Sequence, residues 1–316
     1  TCTEADPVQM KAQAKPPLLI LGAPPRGGNH LLRGLLDEHP QLLLPPDEDY
    51  FIRHLSRKPW LRLRGMLTSK NRIEAFHWQL QKKGHLERVN AGQGTEAFGT
   101  EESLDLNTYY RYVRKHHRRW SIDGLVQNHV EAMAQALGQV PGDNRLRVIF
   151  CALQPSNTDL SRVGRMLARS YAVRGIFLIR DPRAHLHSKL ARNPGLNLQR
   201  YCKRQNRYLD EIDGFEQHCG PALKVRFEDL VTATESPMRK VCELAGIEFL
   251  PQVLEYTQGG QPARSNSSFT SSSGIDQSVI ERYKDNLPSD TIALLEKHCR
   301  PELFWRETSD SQSHST

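Results

Sequence analysis

Residues 17–30 read Pro17-Leu18-Leu19-Ile20-Leu21-Gly22-Ala23-Pro24-Pro25-Arg26-Gly27-Gly28-Asn29-His30. The run from Pro17 to Gly22 is continuous, apolar and ended by glycine, which predicts a short buried strand of a parallel sheet. From Asn29 onward, leucines recur at helical spacing until Pro40 stops the pattern. We therefore expect a strand, a glycine-rich loop and a helix over 29–39.

The loop between strand and helix has the Gly-x-x-x-x-Gly frame of a phosphate-binding loop, from Gly22 to Gly27. Backbone N–H groups of such a turn, with the helix behind it, form a concave anion site. An ATPase loop would continue with Lys and then Ser or Thr, but Gly28 and Asn29 stand there. The pattern predicts a phosphate cradle with one cation, Arg26, although an ordinary glycine-rich turn could have the same sequence.

Three further strands are predicted at 145–152, within 171–179 and at 223–227, with helical patterns between them. Strands that alternate with helices are typical of a mainly parallel sheet. We expect an α/β fold of three layers, in which helices flank both faces of the central sheet.

One domain is expected over 16–307, with a helical insertion at about 52–145 that forms the acceptor side. The polar segments 1–15 and 308–316 are expected to be disordered.

Composition narrows the function only in part. The net charge of +7 is compatible with an anionic ligand, such as nucleic acid, nucleotide, sulfated sugar or membrane surface. A soluble protein whose surface is merely basic could have the same charge. The six cysteines form no Cys-x-x-Cys pair, which argues against a zinc site and a disulfide scaffold but leaves one or two bridges open. No apolar run reaches the roughly 20 residues of a membrane-spanning helix.

A second motif follows the third strand and reads Arg180-Asp181-Pro182-Arg183-Ala184-His185-Leu186-His187-Ser188. Arg180 would stand at the carboxyl end of a parallel strand, where α/β sheets bind ligands. If a helix begins after Pro182, Ser188 could face the same phosphate, and Arg192 would follow one turn later on the same helix face. An ordinary capped helix with surface arginines would fit as well.

Together, the two motifs resemble those of the sulfotransferases that use 3′-phosphoadenosine 5′-phosphosulfate (PAPS), closest to the tyrosylprotein and bacterial carbohydrate or small-molecule branch. That family pairs Pro-Arg-Ser-Gly-Thr-Thr, followed by Leu-x-Arg-x-x-Leu-Asp-x-His-Pro, with a later Arg-Asp-Pro-Arg-Ala…Ser. The counterpart of the first motif runs here from Pro25 to Pro40. The resemblance touches residues 17–51, 175–193 and 223–288 and implies a P-loop-like sulfotransferase fold.

The resemblance implies a set of donor-binding residues. For the 5′-phosphosulfate side these are Pro25, Arg26, Gly27, Gly28, Asn29 and His30. For the 3′-phosphate they are Arg180, Ser188 and Arg192. Later segments add Phe227, in place of the tyrosine of an Arg-Tyr-Glu-Asp-Leu motif, and then Ser268 and Arg282. The loop departs from the family because Asn29 and His30 replace two threonines, although an amide and an imidazole can still donate to phosphate oxygens.

The resemblance also implies the reaction, which is sulfuryl transfer from PAPS to a hydroxyl or amine, with release of 3′-phosphoadenosine 5′-phosphate and no metal. In-line attack depends on positioning and charge, and Arg26 would stabilise the leaving phosphate. A hydroxyl acceptor needs a general base. In the tyrosylprotein-like branch this is a Glu after the His-Pro segment. Counting from Arg26 without gaps gives Asp47 and a shift by one gives Glu48, although these acids could also form a solvated turn.

Other candidates stay open. The aryl branch of the family uses a His base, for which His54, His77 and His85 are options. The basic and aromatic stretch from Tyr109 to Trp120 could bind an acidic ligand, shape the acceptor cleft or form an exposed amphipathic helix. The competing functions are a P-loop kinase, which would need the missing Lys and Ser or Thr, and a non-catalytic module that binds anions or nucleic acid.

We expect a small-molecule, carbohydrate or peptide acceptor, no nucleic acid and no membrane segment, and a homodimer is left open. Bacterial members of the family are generally cytoplasmic, which is the expectation here. A Golgi lumenal enzyme would fit if a membrane anchor upstream of Thr1 had been removed.

Overall fold

In the part of the chain that the structure describes, the centre is a parallel sheet of five strands in the order β2-β3-β1-β4-β5. The computed structural model describes residues 15–45, 48, 105–116, 122–152, 160–263 and 274–306. The strands are β1 (Pro17–Ala23), β2 (Leu42–Leu43), β3 (Leu146–Ala152), β4 (Ala172–Ile179) and β5 (Ala222–Arg226). The prediction of an α/β fold with a mainly parallel sheet is confirmed. The sequence did not predict β2, because a strand of two residues has no detectable period.

Helices cover both faces of this sheet. They are α1 (Asn29–Leu35), α2 (Leu106–Lys115), α3 (Ile122–Ala136), α4 (Leu160–Ala168), α5 (Pro182–Leu190), α6 (Leu198–His218), α7 (Phe227–Thr232), α8 (Glu235–Ala245), α9 (Tyr283–Asn286) and α10 (Ser289–His298). Alternate residues of β1 point to opposite faces, so Leu18 and Ile20 pack against one helical layer while Leu19 and Leu21 pack against the other. This explains why β1 is a continuous apolar run.

Helix α1 is shorter than its leucine pattern predicts, and the expected end near His39 is wrong. The helix ends at Leu35, and Glu38 then takes a left-handed conformation with a φ of 54°. The chain turns there because two side chains are held elsewhere. Asp37 accepts a hydrogen bond from the backbone of Gly260 at 3.0 Å, and Nε2 of His39 lies 3.0 Å from the carbonyl oxygen of Glu248.

A small antiparallel hairpin holds Asp37 in place. Its strands are β6 (Thr257–Gln258) and β7 (Gln261–Pro262), joined by two glycines with positive φ, as tight hairpin turns require. The hairpin packs against α1, where Gly34 leaves room for the ring of Tyr256. The end of α1 is thereby fixed to the body of the protein.

The basic and aromatic stretch contributes helix α2. Tyr109 and Val113 are buried in the core, whereas Arg111 and Arg114 face solvent. This agrees with the amphipathic helix among the alternatives, and the part of the stretch after residue 116 lies outside the described residues. The domain boundaries and the insertion at about 52–145 stay predictions. Within the described ranges, no helix combines the length and the apolar character needed to cross a bilayer.

Candidate functional site

The loop after β1 adopts an unusual backbone conformation. The amide of Gly27 donates to the carbonyl oxygen of Pro24 at 2.8 Å, and both Arg26 (φ 72°) and Gly28 (φ 104°) are left-handed. Left-handed residues in such a turn direct backbone N–H groups to one side and create an anion-binding concavity. Position 28 also excludes a side chain, because a Cβ there would lie 2.3 Å from Cδ2 of Phe227.

The position of this loop in the sheet favours ligand binding. It follows β1, the central strand, and the chain continues from there to β2 on one side, whereas β4 and β5 lie on the other side. Ligands of open α/β sheets bind at such switch points, outside the carboxyl ends of the strands.

The second motif reaches the same place from β4. Asp181 caps α5 by accepting from the backbone N–H of Arg183 at 2.8 Å, with Pro182 at the first helical position. Nη1 of Arg180 donates to the carbonyl oxygen of Arg26 at 2.9 Å, and Nε of Arg26 donates to Oγ of Ser188 at 3.1 Å. The two motifs, about 150 residues apart in the sequence, are therefore in direct contact.

Phe227 lies under this contact. Its ring is buried at the start of α7, and the guanidinium carbon of Arg180 lies 4.2 Å from the ring centroid. Gly28 packs against the same ring. Burial lowers the pKa of Arg180 to about 10, against the opposing effect of the nearby Glu228. The residue remains a cation at neutral pH.

Two buried groups that the sequence did not single out hold the motifs in place. The first is Glu228, whose Oε1 accepts from the backbone N–H of Asp181 at 2.9 Å. The side chain is fully buried, and this burial raises the pKa of its carboxyl to about 7. The sequence signal for Glu228 is the Arg-Phe-Glu-Asp-Leu segment, in which only Phe227 was predicted to bind the donor.

The second is His185 on α5. Gln205 donates to its Nδ1 at 2.8 Å, so the proton resides on Nε2, which donates to the carbonyl oxygen of Pro25 at 2.9 Å. Burial holds the pKa of this imidazole well below its ordinary value, and the charge of Lys189 adds to the effect. A neutral histidine therefore fixes the phosphate loop to α5. The sequence offers only the place of His185 inside the second motif, five residues after Arg180.

Asn29 and His30, which replace the family's threonines, have different surroundings. Nδ2 of Asn29 donates to Oε1 of Glu48 at 2.9 Å, at the start of α1. The ring of His30 meets Phe150 edge-on, with 6.0 Å between centroids. Burial, with the charges of Arg33 and Arg26, lowers the pKa of His30 to about 4. His30 therefore adds no positive charge to the site at neutral pH.

Arg192 does not lie where the helical spacing places it. Helix α5 ends at Leu190, and Arg192 is exposed in the turn that leads to Pro194. The prediction of a shared helix face with Ser188 is therefore wrong, because the amides of Arg192 and Asn193 both bond to the carbonyl oxygen of Lys189 and close the helix. Arg192 still lies near the loop, since its charge adds to burial in lowering the pKa of Arg26.

Arg282 is held by its own segment. Its Nη2 lies 2.8 Å from Oδ2 of Asp276 and 2.6 Å from Oγ of Ser278. The same segment touches the donor side, since the carbonyl oxygen of Val279 accepts from Nη2 of Arg180 at 3.4 Å.

Several predicted residues lie outside the described residues. They are Asp47, Ser268, His54, His77 and His85. Across the described part of the chain, no group of His, Cys, Asp and Glu side chains could hold a metal ion. The binding and catalytic roles of all the predicted residues, and the prediction of a reaction without metal, stay predictions.

Comparisons with known proteins agree with this architecture. A model of the sulfotransferase family matches residues 16–251. The sulfotransferase domain of the olefin synthase from Synechococcus PCC 7002 superposes with a TM-score of 0.56 at 18% identity, over 92% of this chain and 97% of that one. The sulfotransferase domain from the curacin biosynthetic pathway gives a TM-score of 0.50 at 16% identity, over 90% and 98% of the two chains.

These two likenesses show the fold, and the family match extends over more than half of the chain. A search of curated proteins found no match. The branch of the family stays a prediction. On the family match, the chain belongs to the sulfotransferase family, whose members are transferases of sulfuryl groups.

Proposed function

We propose that this enzyme transfers a sulfuryl group from PAPS to a hydroxyl or amine of a small-molecule, carbohydrate or peptide acceptor. The observation that supports the donor best is the contact between the two phosphate motifs, where Arg26 bonds to both Arg180 and Ser188. PAPS carries anionic groups on both the 3′ and the 5′ side of its ribose. Two adjoining cationic sites on one rigid corner of the sheet suit such a ligand.

The electrostatics of the corner favour a multiply charged anion. Arg26 is half-buried, and burial together with the charge of Arg192 lowers its pKa. The lowered pKa of Arg180 likewise reflects burial and, in smaller part, the charge of Arg26. Like charges held close together in a partly dry environment cost free energy, which a bound dianion would offset. The corner is thus arranged for an anion rather than for a neutral ligand.

The reaction on this donor is an in-line displacement. The acceptor oxygen forms a bond to sulfur while the bond from sulfur to the bridging phosphate oxygen breaks, and its electron pair leaves with 3′-phosphoadenosine 5′-phosphate. Arg26 stabilises the charge that develops on the bridging oxygen. Glu48 takes the proton of the acceptor hydroxyl. Its contact with Asn29 at the loop supports Glu48 as the base, with Asp47 as the alternative.

Turnover of radiolabelled PAPS tests this function. The purified chain would be incubated with PAPS and a panel of sugars, peptides, small alcohols and amines, with and without a metal chelator. We expect label on one acceptor class, one 3′-phosphoadenosine 5′-phosphate released per transfer, and no effect of the chelator. If 3′-phosphoadenosine 5′-phosphate is released neither with any acceptor of the panel nor with water, the proposal is contradicted.

A matched pair of variants links turnover to the loop. Arg26→Met keeps a non-glycine residue at the left-handed position but removes the charge, so turnover should fall about 100-fold or more. Arg174→Met is the control, because Arg174 donates to the carbonyl oxygens of Leu244 and Ala245 at the other end of β4. Equal turnover of both variants would exclude the role proposed for Arg26. The acceptor class, a homodimer and the compartment stay predictions.

A further inference from the structure

The start of α1 holds the side chain of Glu48. Asn29 is the first residue of the helix and is buried, and its Nδ2 donates to Oε1 of Glu48 at 2.9 Å. The same nitrogen lies 3.4 Å from the carbonyl oxygen of Ala23, the last residue of β1. Both neighbours are acceptors, so the nitrogen of the amide, and not its oxygen, must face them. The carboxamide therefore connects the end of β1 with Glu48.

One turn along α1, Arg33 holds the backbone that leads to Glu48. Its side chain is 1% exposed, and its Nε donates to the carbonyl oxygen of Pro45 at 3.1 Å. Nη1 of Arg33 pairs with Oδ1 of Asp37 at 3.2 Å. Asp37 is in turn fixed by the hairpin turn at Gly260. Residues four apart lie on one helix face, so Asn29 and Arg33 project to the same side of α1. Asn29 holds the chain at Glu48, and Arg33 holds it at Pro45.

We infer that Asn29 is the positioning residue of the general base. Its amide fixes the carboxylate of Glu48 at the edge of the phosphate loop, and its side chain does not serve as a donor to the phosphosulfate. The inference rests on the proposed function, because it takes Glu48 to be the base. It assigns a purpose to the departure from the family's threonine, whose hydroxyl has one hydrogen to donate and could not bond to both acceptors at once.

A neutral amide suits this task. It donates a hydrogen bond to the carboxylate without cancelling its charge, whereas a cation would pair with it and weaken it as a base. Compared with the family's motif, the donor side lacks the side-chain hydroxyl at position 29. The remaining donors of the loop are its backbone N–H groups and Arg26.

A double-mutant cycle tests the inference. It uses Asn29→Ala, Glu48→Gln and the double variant, with PAPS as the donor and release of 3′-phosphoadenosine 5′-phosphate as the readout, for water and for the first acceptor found. Asn29→Ala should lower kcat about 10- to 100-fold, because a misplaced base loses its alignment, and should leave the KM for PAPS within about threefold. Glu48→Gln should lower kcat about 100- to 10,000-fold. The double variant should be no slower than Glu48→Gln, because both changes act through one group.

Three controls separate the possible failures. Asn206→Ala removes an asparagine that bonds to the backbone of His298 and Arg300, and should leave kcat unchanged. Multiplicative effects in the cycle, or a raised KM for PAPS at unchanged kcat, would overturn the positioning role and leave the proposed function standing. Unchanged turnover in Glu48→Gln would overturn the base and with it this inference, whereas the donor assignment would be unaffected.

The contact itself has a readout that needs no turnover. The side-chain amide of Asn29 gives an NMR signal, assigned by its loss in Asn29→Ala. Glu48→Gln should shift this signal, because the partner of the amide changes from a carboxylate to a neutral group. A signal that does not move would contradict the contact.

Discussion

The two sides of the site are held in different ways. The donor corner, meaning the loop 24–28 with the segment 180–188, is fixed by buried groups from several elements. Gln205 and Pro25 hold His185, Glu228 holds Asp181, and the hydroxyl of Tyr208 donates to the carbonyl oxygen of Gly22 at 3.2 Å. The acceptor edge consists of Pro45 and Glu48. In the contacts described above, these two residues are held only by side chains of α1.

This difference predicts whether a mutation on each side should affect stability, nucleotide affinity or turnover. A change in the donor corner disturbs a buried network and should alter stability and nucleotide affinity together. A change at the acceptor edge should alter turnover first, as the cycle with Asn29 and Glu48 tests. Mutations within the donor corner therefore test this contrast, and three of them differ in the size of their expected effect.

Gly28→Ala should have the largest effect. The added Cβ would meet the ring of Phe227 at 2.3 Å, at a φ of 104° that alanine adopts with difficulty. We expect a loss of at least about 3 kcal/mol in the free energy of unfolding, measured with urea, and loss of 3′-phosphoadenosine 5′-phosphate binding.

Gly138→Ala is the matched control. Gly138 also has a positive φ, of 81°, but nothing lies within 4 Å of its Cβ position. Backbone strain alone should cost about 1 kcal/mol. If both variants lose the same stability, the close packing of loop and Phe227 does not matter.

Glu228→Gln should show an effect that depends on pH. The pKa of Glu228 is raised to about 7 in the folded protein, above its ordinary value of 4.5. The folded state therefore binds the proton more tightly than the unfolded state, and the stability from this group is lost as pH rises from 4.5 to about 7. Gln keeps an acceptor for the N–H of Asp181 and cannot ionise.

Relative to the wild type, Glu228→Gln should therefore gain about 2 kcal/mol between pH 5 and pH 8. Urea unfolding at the two pH values measures this gain. A constant difference between the two proteins would mean that Glu228 keeps one charge state throughout.

His185→Ala should have the smallest effect of the three. It frees the carbonyl oxygen of Pro25 and loosens the loop, so affinity for 3′-phosphoadenosine 5′-phosphate should fall about tenfold, which one lost buried hydrogen bond can explain. His218→Ala changes an exposed histidine of α6 and should leave the affinity unchanged. Equal affinities in both variants would show that the loop keeps its shape without His185.

Sequence patterns predicted the donor corner better than the acceptor edge. A glycine-rich loop after an apolar strand, and an Arg at the end of another, are local patterns, and parallel topology brings the strand ends together. Which side of a helix faces inward is also readable, but where the helix stops is not. Arg192 was misplaced because the end of α5 depends on backbone bonds near Pro194.

The remaining errors involve side chains that meet across the fold. Histidine and glutamate are common in helical segments. His185 and Glu228 have structural roles only because they are buried in the folded protein. The contact between Asn29 and Glu48 depends on the path of the chain after α1, which the hairpin with Gly260 redirects. Neither feature leaves a periodic signal in the sequence.

The central claim is that Arg180 and the loop form one site for a nucleotide with a 3′-phosphate. Calorimetry with 3′-phosphoadenosine 5′-phosphate and AMP tests it most directly, in the wild type, in Arg180→Met and in the control Arg174→Met. We expect 3′-phosphoadenosine 5′-phosphate to bind at least about 100-fold more tightly than AMP in the wild type and the control, as charge-assisted contacts to one phosphate allow. Arg180→Met should bind both nucleotides alike. Equal affinities of the wild type for 3′-phosphoadenosine 5′-phosphate and AMP would contradict the claim.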